Sequence, residues 1–177
     1  MELLDFLIIG GAVLFILLLW GVIGFRHLKY LKKKIKEEWE IVLHTLAKRS
    51  DLLPNLIETV KRFDTGHEVL IERMIQERIK AAKEYDPGAK KIEYEHDLTA
   101  VINEMFALGY KNVELKRDTN FLELKKEVDD LEQNIEQKTK KYNQMVREYN
   151  SNRKSVYLKP LAAVIGYKVE NIFEVEV

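Results

Sequence analysis

The sequence predicts an all-α chain, in which an N-terminal membrane span runs into a helical domain of two long and two short helices. Three observations predict it. Residues 6–25, FLIIGGAVLFILLLWGVIGF, carry no charge. Beyond them apolar residues recur in steps of three and four, the spacing of one helical face. Apolar–polar alternation is confined to Phe173–Val177, too little for a sheet.

The charge-free run is the span. Twenty residues of helix rise roughly 30 Å, the thickness of a bilayer's hydrocarbon. Fourteen of the twenty are Leu, Ile, Val or Phe, and at about −0.4 kcal/mol each they favour insertion by roughly 6 kcal/mol. A core helix rarely stays uncharged over such a length. A signal peptide needs a basic leader and a small-residue cleavage site, whereas Glu2 and Asp5 are acidic and no such site follows. Phe6, Trp20 and Phe25 mark the anchor. No Lys or Arg precedes it, and Arg26, Lys29, Lys32, Lys33, Lys34 and Lys36 follow at once. That asymmetry predicts a single-pass protein of the cell membrane, with residues 1–5 extracytoplasmic and the domain in the cytoplasm. The basic cluster also suits anionic lipid headgroups, the alternative being a solvated face balanced by Glu37 and Glu38.

After the anchor come 29 basic and 27 acidic residues, a net +2 that carries no electrostatic footprint for nucleic acid. The chain has no cysteine, which removes disulfides, thiolate nucleophiles and lipidation. Leu28, Leu31, Ile35, Trp39, Val42, Leu46, Leu53, Ile57, Val60 and Phe63 form one stripe with no Gly or Pro between it and the span. A single helix should therefore emerge from the membrane. Pro54 predicts a kink near Asp51, with Ser50 or Asp51 capping a restarted helix. After a break at Thr65-Gly66, a second helix is expected over about 67–85, burying Ile71, Met74, Ile75, Ile79 and Ala82. Asp86-Pro87-Gly88 reads as a turn. The third helix should bury Leu98, Val101, Ile102, Met105 and Phe106, and end at Gly109. The fourth repeats Phe121, Leu124, Val128, Leu131, Ile135, Lys138, Tyr142, Met145 and Tyr149, a coiled-coil-like seam broken only by Lys138. Residues 156–177 form a tail with Pro160 and the apolar run Leu161–Ile165.

Trp39, then KRSDLLPNLIETV from Lys48, YNQMVREYN from Tyr142 and GYKVENIFEVEV from Gly166, together resemble the bacterial LemA family. The signature positions are Trp39, Arg49, Asp51, Leu52, Pro54, Leu56, Tyr142, Asn143, Tyr149 and Asn150. The chain departs from the usual pattern at Lys111, where relatives tend to have proline, and at Thr139, where they tend to have arginine. The resemblance implies an up-and-down antiparallel four-helix bundle, over residues 26–155, on a membrane anchor. It implies no catalytic activity. One branch is similar to a magnetosome-membrane protein and others often appear beside membrane proteases, which hints at organising partners at the membrane.

No catalytic, cofactor or metal residue emerges. A di-iron bundle needs two Glu-x-x-His motifs, and only Glu93-Tyr94-Glu95-His96 supplies one; His96 reads as surface. Ser50, Ser151 and Ser155 read as caps or turns. The tyrosines of the seam read as packing groups whose hydroxyls reach its edge, and Asn143 and Asn150 as solvent-facing or interhelical. The expected function is a membrane-anchored scaffold or interaction module, not an enzyme, with the bilayer and other membrane proteins or a second copy as partners. The alternatives are an enzyme with an unrecognised site on the bundle and a membrane-remodelling protein. Counting residues up from the membrane sets Trp39 near Tyr142 and Arg49 level with Asp129 and Asp130, in an exposed ion pair. The same count returns the chain's end to the membrane, where the tail would cover the basal helices or a neighbouring subunit.

Overall fold

A computed structural model of the chain describes residues 2–63 and 66–174. The expected break at Thr65 and the alternation beyond Glu174 lie outside the described residues. Among the described residues there are five α-helices, one 3-10 turn and no strand. Helix α1 is Glu2–Phe63, α2 Glu68–Lys83, α3 Ala89–Lys111, α4 Thr119–Lys154 and α5 Lys159–Ile165, with the 3-10 turn at Leu115–Arg117. The start of α1 is long and apolar enough to cross a membrane.

The chain divides into two compact units, Met1–Lys36 with Gln144–Glu170, and Glu37–Asn143 with Asn171–Val177. In the second, α1, α2, α3 and α4 all contribute to one core. Leu53, Leu56 and Val60 meet Ile71 and Met74, Leu98 to Phe106, and Phe121 to Val128. In the first, Leu28, Leu31 and Ile35 of α1, Val146 and Tyr149 of α4, and Leu158 and Ala162 are buried.

Three expectations of detail are corrected. Helix α1 runs through Pro54 without restarting. Proline has no N–H for the Ser50 carbonyl four residues earlier, which would be stranded. Arg78 fills that vacancy, its Nε donating to Ser50 O at 3.0 Å and to Ser50 Oγ at 3.1 Å. Gly109 lies inside α3 rather than ending it. Its role is space, for a Cβ there would stand 2.2 Å from Cζ of Phe121, a ring also packed by Phe106 and Tyr110. The left-handed cap is instead Gly166, at φ 77°, closing α5. In α4 the buried positions after Ile135 are Thr139, Tyr142, Asn143, Val146 and Tyr149. Thr139 and Val146 thus replace Lys138 and Met145, because a straight helix drifts from a seven-residue repeat by about 20° per heptad.

Candidate functional site

The stripe of α1 jumps seven residues, from Leu46 to Leu53, and Arg49 occupies the gap. It is not at the surface. Arg49 is 1% exposed, its Nη2 donating to Glu95 Oε2 at 2.7 Å and its Nη1 to Thr99 Oγ1 at 2.8 Å. Neither Asp129 nor Asp130 is its counter-ion; on α4 it faces Glu132, 3.8 Å away. The register count failed because it assigned Arg49 to α4, whereas the buried acceptors stand on α3. Glu95 also takes 2.8 Å contact from Lys91, whose ammonium donates to the Ala81 carbonyl at 2.7 Å. Two cations and two carboxylates therefore share the interior. Burial pushes the Glu132 carboxyl above its ordinary range, and attraction to Arg49 opposes that shift. Nε of Arg49 and Oγ1 of Thr139 have no hydrogen-bond partner. Removing Arg49 or Glu95 alone costs about 3–5 kcal/mol, since the buried charge of the other is left unbalanced.

Lys91 and Glu95 also form part of the wall of a groove of about 380 Å³. Leu43, Ala47, Ser50 and Asp51 of α1, and Arg78, Ile79 and Ala82 of α2, line the rest together with Tyr85. Asp51 is exposed, 3.9 Å from Arg78. The groove is mainly apolar, with the buried Lys91 and Glu95 in its wall and Asp51 and Arg78 at its rim. Of the signature residues, Arg49, Asp51 and Pro54 thus converge here: one in the charge cluster, one on the rim, and one through the carbonyl it leaves to Arg78. Leu56 is fully buried in the core, and Leu52 packs against that core half-exposed.

The other signature residues hold the tail. In the second unit, Asn143 grips both main-chain groups of Phe173: Nδ2 donates to its carbonyl at 2.7 Å, and Oδ1 accepts from its N–H at 2.8 Å. Tyr142 donates to the Asn171 carbonyl at 2.8 Å. Phe173 is fully buried against Trp39, with ring centroids 4.9 Å apart. The Trp39 and Tyr142 rings are 5.2 Å apart, as the residue count expects. In the first unit Asn150 grips Glu170 in the same bidentate way, at 2.8 and 3.1 Å. Tyr149 donates to the Lys168 carbonyl at 3.0 Å, and Arg153 to that of Tyr167 at 3.2 Å. Burial pushes the Tyr149 phenol up to about 12. Seven residues of helix advance about 10.5 Å and three residues of extended chain about 10 Å, so a seven-residue repeat of Tyr-Asn suits acceptors three residues apart. The asparagines are therefore neither solvent-facing nor interhelical; they read main chain. The repeat itself was the signal, because amide side chains offer a donor and an acceptor at once.

The basic cluster after the charge-free run is divided in its contacts. Lys32 pairs with Glu170 at 2.9 Å and lies over the Tyr167 ring, so it belongs to the tail's docking. Lys29 lies over Phe25, and Lys34 over Tyr30; Arg26, Lys29, Lys33 and Lys36 are exposed. Phe6 is exposed, as is Phe25, and Trp20 is half-buried. His96 is exposed beside Asp97. Among the described residues, no three His, Cys, Asp or Glu side chains converge.

No curated protein matches this chain in sequence. The buried Arg49, Pro54 and the Tyr-Asn pairs of α4 all fall within residues 38–177, which match the model of the LemA family, and the chain belongs to that family.

Proposed function

We propose that this protein is a single-pass membrane-anchored scaffold, whose helical domain faces the cytoplasm and binds other membrane-associated proteins without catalysing a reaction. One observation carries the reading. Helix α1 passes without a break from an apolar run that is bare over most of its length, with Leu14, Phe15 and Ile16 each at least 60% exposed, into a stripe buried in a folded domain. Bare apolar surface of that extent is costly in water, roughly 25 cal/mol per Å², and costs nothing in lipid. The finer architecture belongs to the same proposal: two long and two short helices in up-and-down antiparallel order, anchored by residues 6–25. Flanking charge supports the orientation.

The groove between α1 and α2 is the partner's seat in this reading, taking an apolar side chain while Asp51 and Arg78 pair with charges at the rim. Ala47 and Ala82 line it and are exposed, so tryptophan at either position fills it without entering the core. Proteins that co-purify with the full chain from gently solubilised membranes should be lost from A47W and A82W, with helix content unchanged. An unaltered set of partners would overturn the groove as the binding site. Turnover of any substrate that survives loss of the partners would overturn the scaffold.

A further inference from the structure

We propose that residues 156–165, α5 and the turn before it, form a second membrane contact, lying in the interfacial layer of an anionic phospholipid bilayer beside the span. This rests on the reading of residues 6–25 as that span. The first observation is height. Gly24 is the last glycine of the charge-free run, and an ideal Cβ there would lie 2.7 Å from the Cδ2 atoms of both Leu158 and Leu161. A side chain at 24 would hold α5 off. Its absence seats α5 directly against α1, one residue from the end of the apolar run, at the boundary between hydrocarbon and headgroups.

The second observation is that α5 is apolar on both faces. Leu158 and Ala162 are buried. On the outside, Val156 is 92%, Tyr157 59% and Val164 87% exposed. Residues 156–165, VYLKPLAAVI, include a single charge, Lys159. A segment meeting water would place polar groups where these valines stand. Tyrosine beside aliphatic residues is the composition of the interface itself.

The third observation identifies the occupant. Between α1 and the turn lies a notch of about 460 Å³, lined by Ile16, Leu19, Trp20, Ile23, Gly24 and, at its upper end, His27 on one side and by Tyr157 and Leu158 on the other. Five of these eight belong to the charge-free run, so whatever surrounds the run also enters the notch. That is acyl chain. Around it, residues 151–169 contain Arg153, Lys154, Lys159 and Lys168 and no Asp or Glu, which complements an anionic leaflet.

The chain contains no cysteine, so single cysteines can carry an environment-sensitive fluorophore in the full chain. V164C, L14C and V69C would be reconstituted in phosphatidylcholine vesicles containing phosphatidylglycerol. The label at 164 should be blue-shifted and quenched more by spin labels high on the acyl chain than by labels near its end. The label at 14 should show the reverse order, and the label at 69 should be quenched by neither. If 14 is quenched and 164 is not, the interfacial contact is wrong and the span stands. If 14 is not quenched, the span reading fails and the contact falls with it. A label at 164 that is blue-shifted yet unquenched would mean that protein, such as a second copy, covers α5, and would overturn the proposal. Quenching at 164 that does not weaken when phosphatidylglycerol is omitted would overturn its anionic part.

Discussion

Replacing Asn143 tests whether the tail is held through its main chain. Phe173 is fully buried, and both its N–H and its carbonyl are bonded to the Asn143 amide, at 2.8 and 2.7 Å. Asn143→Ala deletes both bonds. Each is worth about 1 kcal/mol net, and a stranded buried group costs about 1–3 kcal/mol, so the docked tail loses roughly 2–4 kcal/mol. Asn143→Asp is closer in shape, but it turns an anionic oxygen toward the Phe173 carbonyl while keeping only the acceptor. It should cost at least as much as alanine. At 1.4 kcal/mol per tenfold, opening of the tail becomes about 30 to 700 times more frequent. Native-state hydrogen exchange at residues 168–174 reads that directly. Emission from Trp39, which loses Phe173 as a neighbour, reads it independently. Exchange in the core around Leu53, Ile102 and Val128 should change far less, since no bond of Asn143 reaches it. Tail amides that exchange in Asn143→Asp at the parent's rate, or more slowly than in Asn143→Ala, would refute the reasoning.

Gly109→Ala should destabilise the chain by about 1–3 kcal/mol in chemical denaturation, because the forced displacement of Phe121 outweighs the roughly 1 kcal/mol gained in helix propensity. The raised Glu132 carboxyl means that the fold disfavours its ionised form; the stability tied to its neutral form is complete below the unfolded carboxyl range and lost as pH rises through the raised value. Glu132→Gln should therefore equal or exceed the parent's stability at neutral pH and flatten the pH dependence on the acidic side; clear destabilisation at neutral pH would contradict this. The Tyr149 phenol, raised from 10 to about 12, stabilises the fold fully below pH 10 and loses that contribution as pH climbs through 12. Tyr149→Phe should lack this alkaline limb in a denaturation series, and phenolate absorbance in the parent should show one tyrosine titrating late.

What was legible in the sequence was apolar. The stripes of α1 and α3 and the uncharged run needed only periodicity and length, and most buried residues fall where the spacing sets them, although on α1 Leu56 is fully buried and Ile57 only partly. What was not legible was polar and long-range. Arg49 fills the one gap in the α1 stripe, and Lys91 and Glu95 continue the α3 stripe by one turn at either side of a four-residue step. A charge at a core position has no apolar signal, and its partner stands 46 residues away on another helix. The local chemistry of Pro54 predicts a kink and a restarted helix; Arg78, 28 residues beyond the carbonyl it rescues, is what permits continuity. The tail was expected to dock through its apolar side chains, and Phe173 does so. The main-chain bonds to Asn143 and Asn150 carry no hydrophobic signature at all.

These polar positions share a physical consequence. Apolar stripes are permissive about register, since a helix that slides by a turn still presents Leu and Ile to the core. The charge cluster is not permissive. Arg49 places two donors on Glu95 and Thr99, which are four residues apart on α3, and a slide of one turn would leave a buried guanidinium with one partner or none. The bidentate amides act likewise on the tail, because Asn143 can satisfy both groups of one residue only at one setting. Ion pairs of this kind add little net stability compared with packed apolar side chains. Their contribution is to penalise the alternatives, by several kcal/mol for each stranded charge. The proposed scaffold would require that: a binding surface has fixed spacing only if its helices have fixed register, and here the register is written in the residues that look least like core.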